Sequence, residues 1–234
     1  MAEVLLVHGS CHGAWCWDLL VPHLSALGHS VRTIDLPSHG ADTTPPDTVT
    51  LDSYAAAIAD AIDTQAVVIG HSMAGYPITA AAERAPHKIA KLIYLCAYVP
   101  QNGRALVDLR RESGSTLPAA VSVDATRTTF RFRPEAAKAA LYHDVSDDLI
   151  AWALERLTPQ PILPQETPLT IDRSAGIARR YVICDQDQAI PAEYQRVMTA
   201  DWPRDHVVTL NTSHSPFLSV PGDLAAVLDT LIRT

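Results

Sequence analysis

The apolar residues of the chain are concentrated in six short runs, which predict the strands of a single sheet. The runs cover residues 4–7, 31–35, 67–70, 92–95, 181–184 and 207–210. In most of these runs the apolar positions are continuous rather than alternating with polar ones, which is typical of strands covered on both faces. We therefore expect a mostly parallel sheet of about six strands with helices on both faces.

Helical spacing of apolar residues occurs between these runs. It predicts helices over residues 15–27, 51–62, 73–84, 192–199 and 224–232. Gly28 is suited to end the first helix, and Pro191 is suited to begin the fourth. Pro77 conflicts with the third helix because a proline about five residues inside a helix removes a hydrogen bond, so this helix either starts later or bends there. The alternation of strand and helix predicts an α/β fold.

Residues 101–177 interrupt this alternation. The segment contains six prolines and helical patterns at 133–142 and 147–157, but no continuous apolar run of the buried-strand kind. We interpret it as a mainly helical cap inserted into one α/β core, which consists of residues 1–100 and 178–234. The cap would lie over the carboxyl ends of the strands, where open α/β sheets bind ligands.

Composition and charge narrow the class of protein. With 234 residues, 47% hydrophobic and 19% charged, the chain can bury one large core. Its net charge of −8 argues against nucleic acid or an anionic membrane surface as a partner. No basic leader precedes the first apolar run, and no run approaches the ~20 apolar residues of a membrane span.

The four cysteines, Cys11, Cys16, Cys96 and Cys184, form no C-x-x-C pair. We expect reduced thiols and a cytoplasmic protein, with the oligomeric state left open, a homodimer included.

The segment Gly70-His71-Ser72-Met73-Ala74-Gly75 lies between a predicted buried strand and a predicted helix. A serine with small residues two positions before and two positions after it, in this setting, is the signature of a nucleophile elbow. The tight turn leaves no room for larger side chains at the flanking positions, and it raises the serine hydroxyl above the sheet. We therefore expect Ser72 to be a catalytic nucleophile.

A serine hydroxyl needs a base to take its proton, and that base is usually a histidine oriented by a carboxylate. In this fold the order along the chain is serine, acid, histidine. His206 and His214 lie beyond the fifth predicted strand, and His214 follows the sixth, so we predict that His214 is the base. Asp185 and Asp187 both follow the fifth strand; we favour Asp187 because it lies further into the turn, without excluding a contribution from Asp185.

The oxyanion of an acyl-transfer reaction needs two backbone amides. We predict that Met73 provides one and Ser10, in the glycine-rich turn after the first strand, provides the other. That turn also contains four residues of metal-ligating type, His8, Cys11, His12 and Cys16. Their spacing does not suit a four-ligand cage, and no second ligand pair occurs elsewhere. We therefore predict no metal and no other cofactor.

Three segments, residues 7–17, 27–36 and 187–196, resemble the plant methylesterase and hydroxynitrile lyase family, with bacterial pyrethroid-type carboxylesterases among its relatives, within the α/β-hydrolase superfamily. The resemblance implies cofactor-free hydrolysis of small esters in a pocket beneath the cap. Carried over position by position, it implies the same triad of Ser72, Asp187 and His214. It also implies that Phe132 lines the pocket and that His12 lies near the pocket mouth.

Three positions depart from the lyase pattern within that family. The lyases carry threonine, glutamate and lysine where this chain has Gly9, His71 and Ser215. A lyase that releases cyanide needs the lysine to stabilise the leaving anion. The resemblance therefore favours esterase chemistry over lyase chemistry.

The leading hypothesis is a serine carboxylesterase acting on a small-molecule ester. The alternatives are a lyase on the same triad and a small-molecule receptor built on the hydrolase scaffold. Apolar cap residues, Phe130, Phe132, Trp152 and Leu157, are expected to line the pocket, and the cap charges Arg131, Arg133, Glu155 and Arg156 to face water. We expect such a pocket to favour compact neutral esters, with short-chain or aromatic acyl groups, over long lipids and anions.

Overall fold

Nine strands and eleven α-helices form the chain, and the computed structural model describes residues 1–234. The strands are β1 (Glu3–Val7), β2 (Ser30–Ile34), β3 (Ala66–His71), β4 (Ile89–Leu95), β5 (Val121–Val123), β6 (Thr129–Phe132), β7 (Gln160–Pro161), β8 (Ala178–Cys184) and β9 (Val207–Leu210). The helices are α1 (Val21–Ala26), α2 (Leu51–Asp60), α3 (Gly75–Arg84), α4 (Leu106–Glu112), α5 (Leu117–Ala120), α6 (Pro134–Leu141), α7 (Asp147–Leu154), α8 (Leu163–Glu166), α9 (Ala192–Met198), α10 (Pro216–Ser219) and α11 (Pro221–Arg233).

The six predicted strands form one parallel sheet in the order β2-β1-β3-β4-β8-β9. Alternate side chains of a strand point to opposite faces, so the apolar run of β1 supplies two cores. Leu5 packs with α2 and α3 residues on one face, and Leu6 packs with α1 and α11 residues on the other. Every residue of β3 is buried. The predicted α/β fold with helices on both faces is confirmed.

Prolines determine where several helices begin. The first predicted helix is divided into a 3₁₀ turn at Ala14–Trp17 and the short helix α1, in which Pro22 occupies the first turn. Pro77 lies in the first turn of α3, where no amide is needed, so the helix starts later than predicted and does not have to bend. Pro191 directly precedes α9, and its carbonyl accepts hydrogen bonds from the first turn of that helix.

The insertion between β4 and β8 contains five short helices, α4 to α8, and a small antiparallel sheet in the order β5-β6-β7. The two helices predicted there are present as α6 and α7. The small sheet was not predicted because its strands have only two to four residues, and those of β5 and β6 are partly exposed. Short strands of this kind lack the continuous apolar run by which the central strands were recognised.

The insertion contacts the turn that follows β1. The Thr158 amide donates to the Cys11 carbonyl at 2.8 Å, and the Cys11 amide donates to Gln160 Oε1 at 3.2 Å. These bonds hold the insertion over the carboxyl end of the central sheet. None of the helices has both the length and the apolar character required to cross a membrane.

The start of α3 packs against backbone. A Cβ atom at Gly75 would lie 2.0 Å from the Tyr98 carbonyl oxygen. We expect Gly75→Ala to lower the free energy of unfolding by roughly 1–3 kcal/mol, the usual cost of overpacking a core. Urea denaturation measures this change. Gly176→Ala is the control, because no atom lies within 4 Å of a Cβ there, and it should change stability by less than about 0.5 kcal/mol. Equal effects of the two substitutions would contradict this account.

Candidate active site

Ser72 occupies the sharp turn between β3 and α3. Its φ of +57° lies in the left-handed region, which is strained for a residue with a side chain. Gly70 is required because a Cβ there would lie 3.0 Å from the Ala74 carbonyl oxygen and 2.9 Å from Ile78. The turn therefore has the geometry of the nucleophile elbow, with Ser72 at the carboxyl end of the central strand.

His214 and Asp187 lie in the loops that follow β9 and β8. His214 Nδ1 is 2.7 Å from Asp187 Oδ2, and both side chains are almost fully buried. Because a carboxylate only accepts hydrogen bonds, Nδ1 carries the proton and Nε2 is left as the basic nitrogen. Asp187 also accepts from the amides of Ala189 and Ile190 and from Gln195 Nε2. These donors fix the carboxylate that orients the imidazole ring.

The other two candidates lie elsewhere. Asp185 is half-buried, and its carboxylate contacts only Gln186 Nε2, at 3.5 Å. His206 belongs to the 3₁₀ turn at the amino end of β9, whereas the carboxyl ends of the strands form the site. The structure thus brings Asp187, and not Asp185, to His214.

His71 holds the loop of His214 against the end of β3. Its Nε2 donates to the His214 carbonyl at 2.8 Å, and the two ring centroids are 4.6 Å apart. Burial lowers the pKa of His71 well below its usual value, so the ring is neutral. Ser72 is the next residue in the chain. The His71 side chain therefore connects the turn of Ser72 to the loop of His214. No hydrogen bond connects Ser72 Oγ with the His214 ring, a contact that commonly tightens only when substrate binds.

Sequence reasoning missed the positioning roles of His71 and Gln195. In the sequence, His71 stands out only as a member of the elbow segment and as a difference from the lyases, and Gln195 only as a member of the segment 187–196. Gln195 lies on α9, the helix that follows the loop of Asp187, and this position is the only sign of its role in the sequence. Its contact with Asp187 depends on how α9 packs. Neither contact is encoded in residue spacing.

His71, Cys96 and His214 also have ligand-type atoms that lie within 4.8 Å of one another. The donor set is of the zinc type, but metal binding requires the thiolate form of cysteine. Burial raises the pKa of the Cys96 thiol well above its usual value. One nitrogen of each imidazole already has a hydrogen-bond partner. The protonated thiol makes this cluster a poor metal site.

A cavity of about 190 Å³ lies between the elbow and the insertion and is bordered by Ser72, Met73 and Ser10. The Ser10 amide donates to no other group of the chain, so it is free to donate into this space. Apolar lining comes mainly from α4, α5 and the small sheet, namely Leu106, Val107, Leu117, Val121, Phe130 and Phe132. Phe132 and Phe130 thus border the cavity.

His12 and Trp152, which were predicted to bind substrate, do not border the cavity. His12 instead belongs to the turn after β1 and connects it to the insertion. Its Nδ1 forms a hydrogen bond with the Ser10 carbonyl at 2.8 Å, and its Nε2 forms one with the Tyr142 hydroxyl at 2.7 Å. Trp152 packs edge-on against Trp15 and under the Arg156 guanidinium. Leu157 is also outside the lining. The contacts of His12 with Tyr142 and of Trp152 with Trp15 thus hold the insertion on the core.

The cavity wall carries charge, which was not expected from the sequence. The four cap charges named above are exposed, as predicted. Arg110, Arg127 and Glu166 nevertheless border the cavity. Arg110 lies four residues after Leu106 on the same face of α4, so helical spacing brings it to the wall.

The chain matches a model of a known protein family over almost its whole length. The family is described as the alpha/beta hydrolase family, and residues 4–227 match its model. Among curated proteins, methylesterase 7 of Arabidopsis thaliana is 30% identical, with 97% of this chain and 94% of that protein covered. Methyl jasmonate esterase 1 of Vitis vinifera is 28% identical, with 98% and 96% covered.

Solved structures give the same result. A pyrethroid hydrolase from Sphingobium faniae JZ-2 superimposes with a TM-score of 0.87 at 25% sequence identity. The superposition covers 100% of this chain and 98% of that protein. The resemblance stated from sequence motifs is confirmed by these relatives.

Four buried histidines, His8, His12, His39 and His71, are held neutral by the fold, because burial lowers their pKa values, that of His12 to about 4. A histidine whose pKa is lower in the folded than in the unfolded chain stabilises the fold fully only above the unfolded value of about 6.5. That stability is lost as the pH falls toward the folded value. We expect the free energy of unfolding to fall between pH 7 and pH 5, with His12 contributing about 2 kcal/mol of the loss.

Urea denaturation of wild type and His12→Gln at the two pH values measures the contribution of His12. The glutamine cannot titrate, so the loss on acidification should be about 2 kcal/mol smaller in this variant. His143→Gln is the control, since His143 is exposed and close to the same contacts. Equal losses in wild type and His12→Gln would show that His12 does not gain a proton on unfolding.

Proposed function

The chain belongs to the alpha/beta hydrolase family and is a carboxylic ester hydrolase, and we propose that it is a serine carboxylesterase with Ser72 as nucleophile, His214 as base and Asp187 as the orienting acid. The observation that carries this proposal is the 2.7 Å contact of His214 Nδ1 with Asp187 Oδ2, in a loop bonded by His71 to the end of the elbow strand. A buried pair in that position leaves His214 Nε2 available as the base for Ser72.

The reaction follows from these positions. Ser72 Oγ attacks the ester carbonyl carbon while His214 Nε2 takes the hydroxyl proton. The carbonyl oxygen becomes an oxyanion that accepts hydrogen bonds from the amides of Ser10 and Met73; each such donor is worth roughly 10²–10³ in rate. The carbon–oxygen bond to the alcohol then breaks, and the alcohol leaves with the proton from His214. Water, activated by the same histidine, cleaves the acyl-enzyme and releases the acid.

The size of the cavity supports a compact acyl group. Its volume of about 190 Å³ and its largely aromatic and aliphatic lining suit short-chain or aromatic acids rather than long lipid chains. Methyl esters and pyrethroid-type esters are the substrate types named for the relatives. The expectation that charged esters are rejected rested on an uncharged lining. Because Arg110 lies on the cavity wall, the lining is not uncharged, and we propose a limit on the size of the acyl group but not on its charge.

Lyase chemistry on the same triad has less support. The residue after His214 is Ser215, so no cation is supplied there to stabilise a leaving cyanide. A receptor role would not require the buried acid and the oriented base. The esterase proposal accounts for both features.

The nucleophile is tested by Ser72→Ala. We expect kcat for hydrolysis of 4-nitrophenyl acetate to fall by about 10³-fold or more, because the members of a triad act as a unit. Release of 4-nitrophenol measures the rate. Ser215→Ala is the matched control, since the Ser215 hydroxyl is buried near His214 and has no hydrogen-bond partner. Near-normal turnover by Ser72→Ala would remove Ser72 from the mechanism.

The acid is tested by comparing Asp187→Asn with Asp185→Asn. An amide at position 187 loses the charge that stabilises the imidazolium and favours the wrong tautomer, so we expect kcat to fall by about 10²–10⁴-fold. Asp185 does not contact His214, and its variant should retain kcat within about threefold. The reverse result in the same assay would make Asp185 the acid.

A further inference from the structure

Arg110 places a positive charge on the wall of the cavity that holds Ser72. The residue lies on α4 with Leu106 and Val107, which border the same cavity, so this helix presents one continuous face to it. An arginine stays protonated throughout the pH range of ester hydrolysis, even though burial lowers the pKa of Arg110. A half-buried cation that faces a small cavity is costly in free energy unless an anion or other polar group interacts with it.

The side chain of Arg110 is fixed at one end and open at the other. Its Nη1 donates to Gln165 Oε1 at 2.9 Å, and Gln165 Nε2 in turn donates to Ser10 Oγ at 2.9 Å. This chain of hydrogen bonds runs from the cation to the turn that contributes the oxyanion amide. No further hydrogen bond is made by the guanidinium, which leaves the rest of its donor fork unpaired.

No carboxylate of the chain forms an ion pair with this cation, although the nearby Glu166 carboxylate acts to raise the pKa of Arg110. Arg110 belongs to none of the ion pairs of the chain, most of which are on the surface. Glu166 is the one acidic residue on the cavity wall, where Arg110 and Arg127 also lie. The wall therefore has an excess of positive charge in a protein whose net charge is −8. Such a local reversal of sign attracts anions into the cavity.

The position of the cavity indicates which part of the ester it receives. In the proposed mechanism the leaving alcohol takes its proton from His214, so the alcohol lies beside that ring. His214 does not border the cavity, whereas Ser72, Ser10 and Met73 do. The cavity therefore receives the acyl part, on the side of Ser72 away from the leaving group.

We propose that Arg110, positioned by Gln165, binds a carboxylate on the acyl part of the substrate, which makes monoesters of short dicarboxylic acids a preferred substrate class. The planar fork of an arginine matches the two oxygens of a carboxylate, and such charge-assisted pairs are stronger than neutral hydrogen bonds. Arg110 is then a specificity-determining residue. The inference rests on the esterase function proposed above.

The test compares two esters of the same size. Monomethyl glutarate carries a carboxylate, and the methyl ester of glutaramic acid carries a neutral amide in its place. Methanol release gives kcat/KM for both, and we expect wild type to prefer the carboxylate by about tenfold or more. Arg110→Gln should bring the ratio close to one, and Arg110→Lys, which keeps the charge, should retain part of it. Arg111→Gln is the matched control, because Arg111 is the next residue but is 75% exposed.

The outcomes separate the two proposals. Ser72-dependent release of methanol from the amide ester, without a preference for the carboxylate, would overturn the subsite and leave the esterase function standing. An equal ratio in wild type and Arg110→Gln would do the same. If neither ester is hydrolysed, calorimetry with the two intact esters decides: tighter binding of monomethyl glutarate than of the amide ester by wild type, lost in Arg110→Gln, supports the subsite, and equal binding overturns it.

Discussion

The strained turn at Ser72 is the constraint on which the rest of the site depends. A side-chain-bearing residue in the left-handed region costs on the order of 1–3 kcal/mol, and it persists only where its surroundings hold it in place. Here the preceding strand, β3, is fully buried between β1 and β4, and the following helix begins in contact with the Tyr98 carbonyl. The Tyr98 amide also donates to the Ser72 carbonyl at 3.1 Å. The sheet thus fixes both ends of the turn, and the small residues Gly70 and Gly75 allow the close approach.

A second layer of buried polar groups transmits this rigidity to the neighbouring loops. His71 bonds the His214 carbonyl, Gln195 bonds the Asp187 carboxylate, and His12 joins the Ser10 carbonyl to Tyr142. Each of these contacts satisfies a polar group that would be costly to bury alone. Burial itself keeps His12 and His71 neutral, because a buried imidazolium without a carboxylate would be poorly solvated. Stability near neutral pH and the geometry of the site therefore have a common source.

The insertion contributes cavity-lining residues and contacts with the core. Its aromatic residues divide into two groups: Phe130 and Phe132 face the cavity, while Trp152 anchors the insertion against Trp15. Arg110 introduces a charge where apolar residues alone would close a pocket. The core supplies Ser72, His214 and Asp187, and the insertion supplies most of the apolar and charged residues that line the cavity.

The sequence by itself determined the α/β fold, the six central strands and the location of Ser72, His214 and Asp187 at strand ends. These follow from local rules: continuous apolar runs, a serine between small residues, and the order of residues along the chain. Only the tertiary structure decided that Asp187 reaches His214, that His12 and Trp152 lie outside the cavity, and that Arg110 lies on its wall. Those outcomes depend on contacts between segments distant in sequence, such as Arg110 with Gln165 or His71 with His214. Residue spacing records which face a side chain occupies, but the packing of one element on another decides what that face meets.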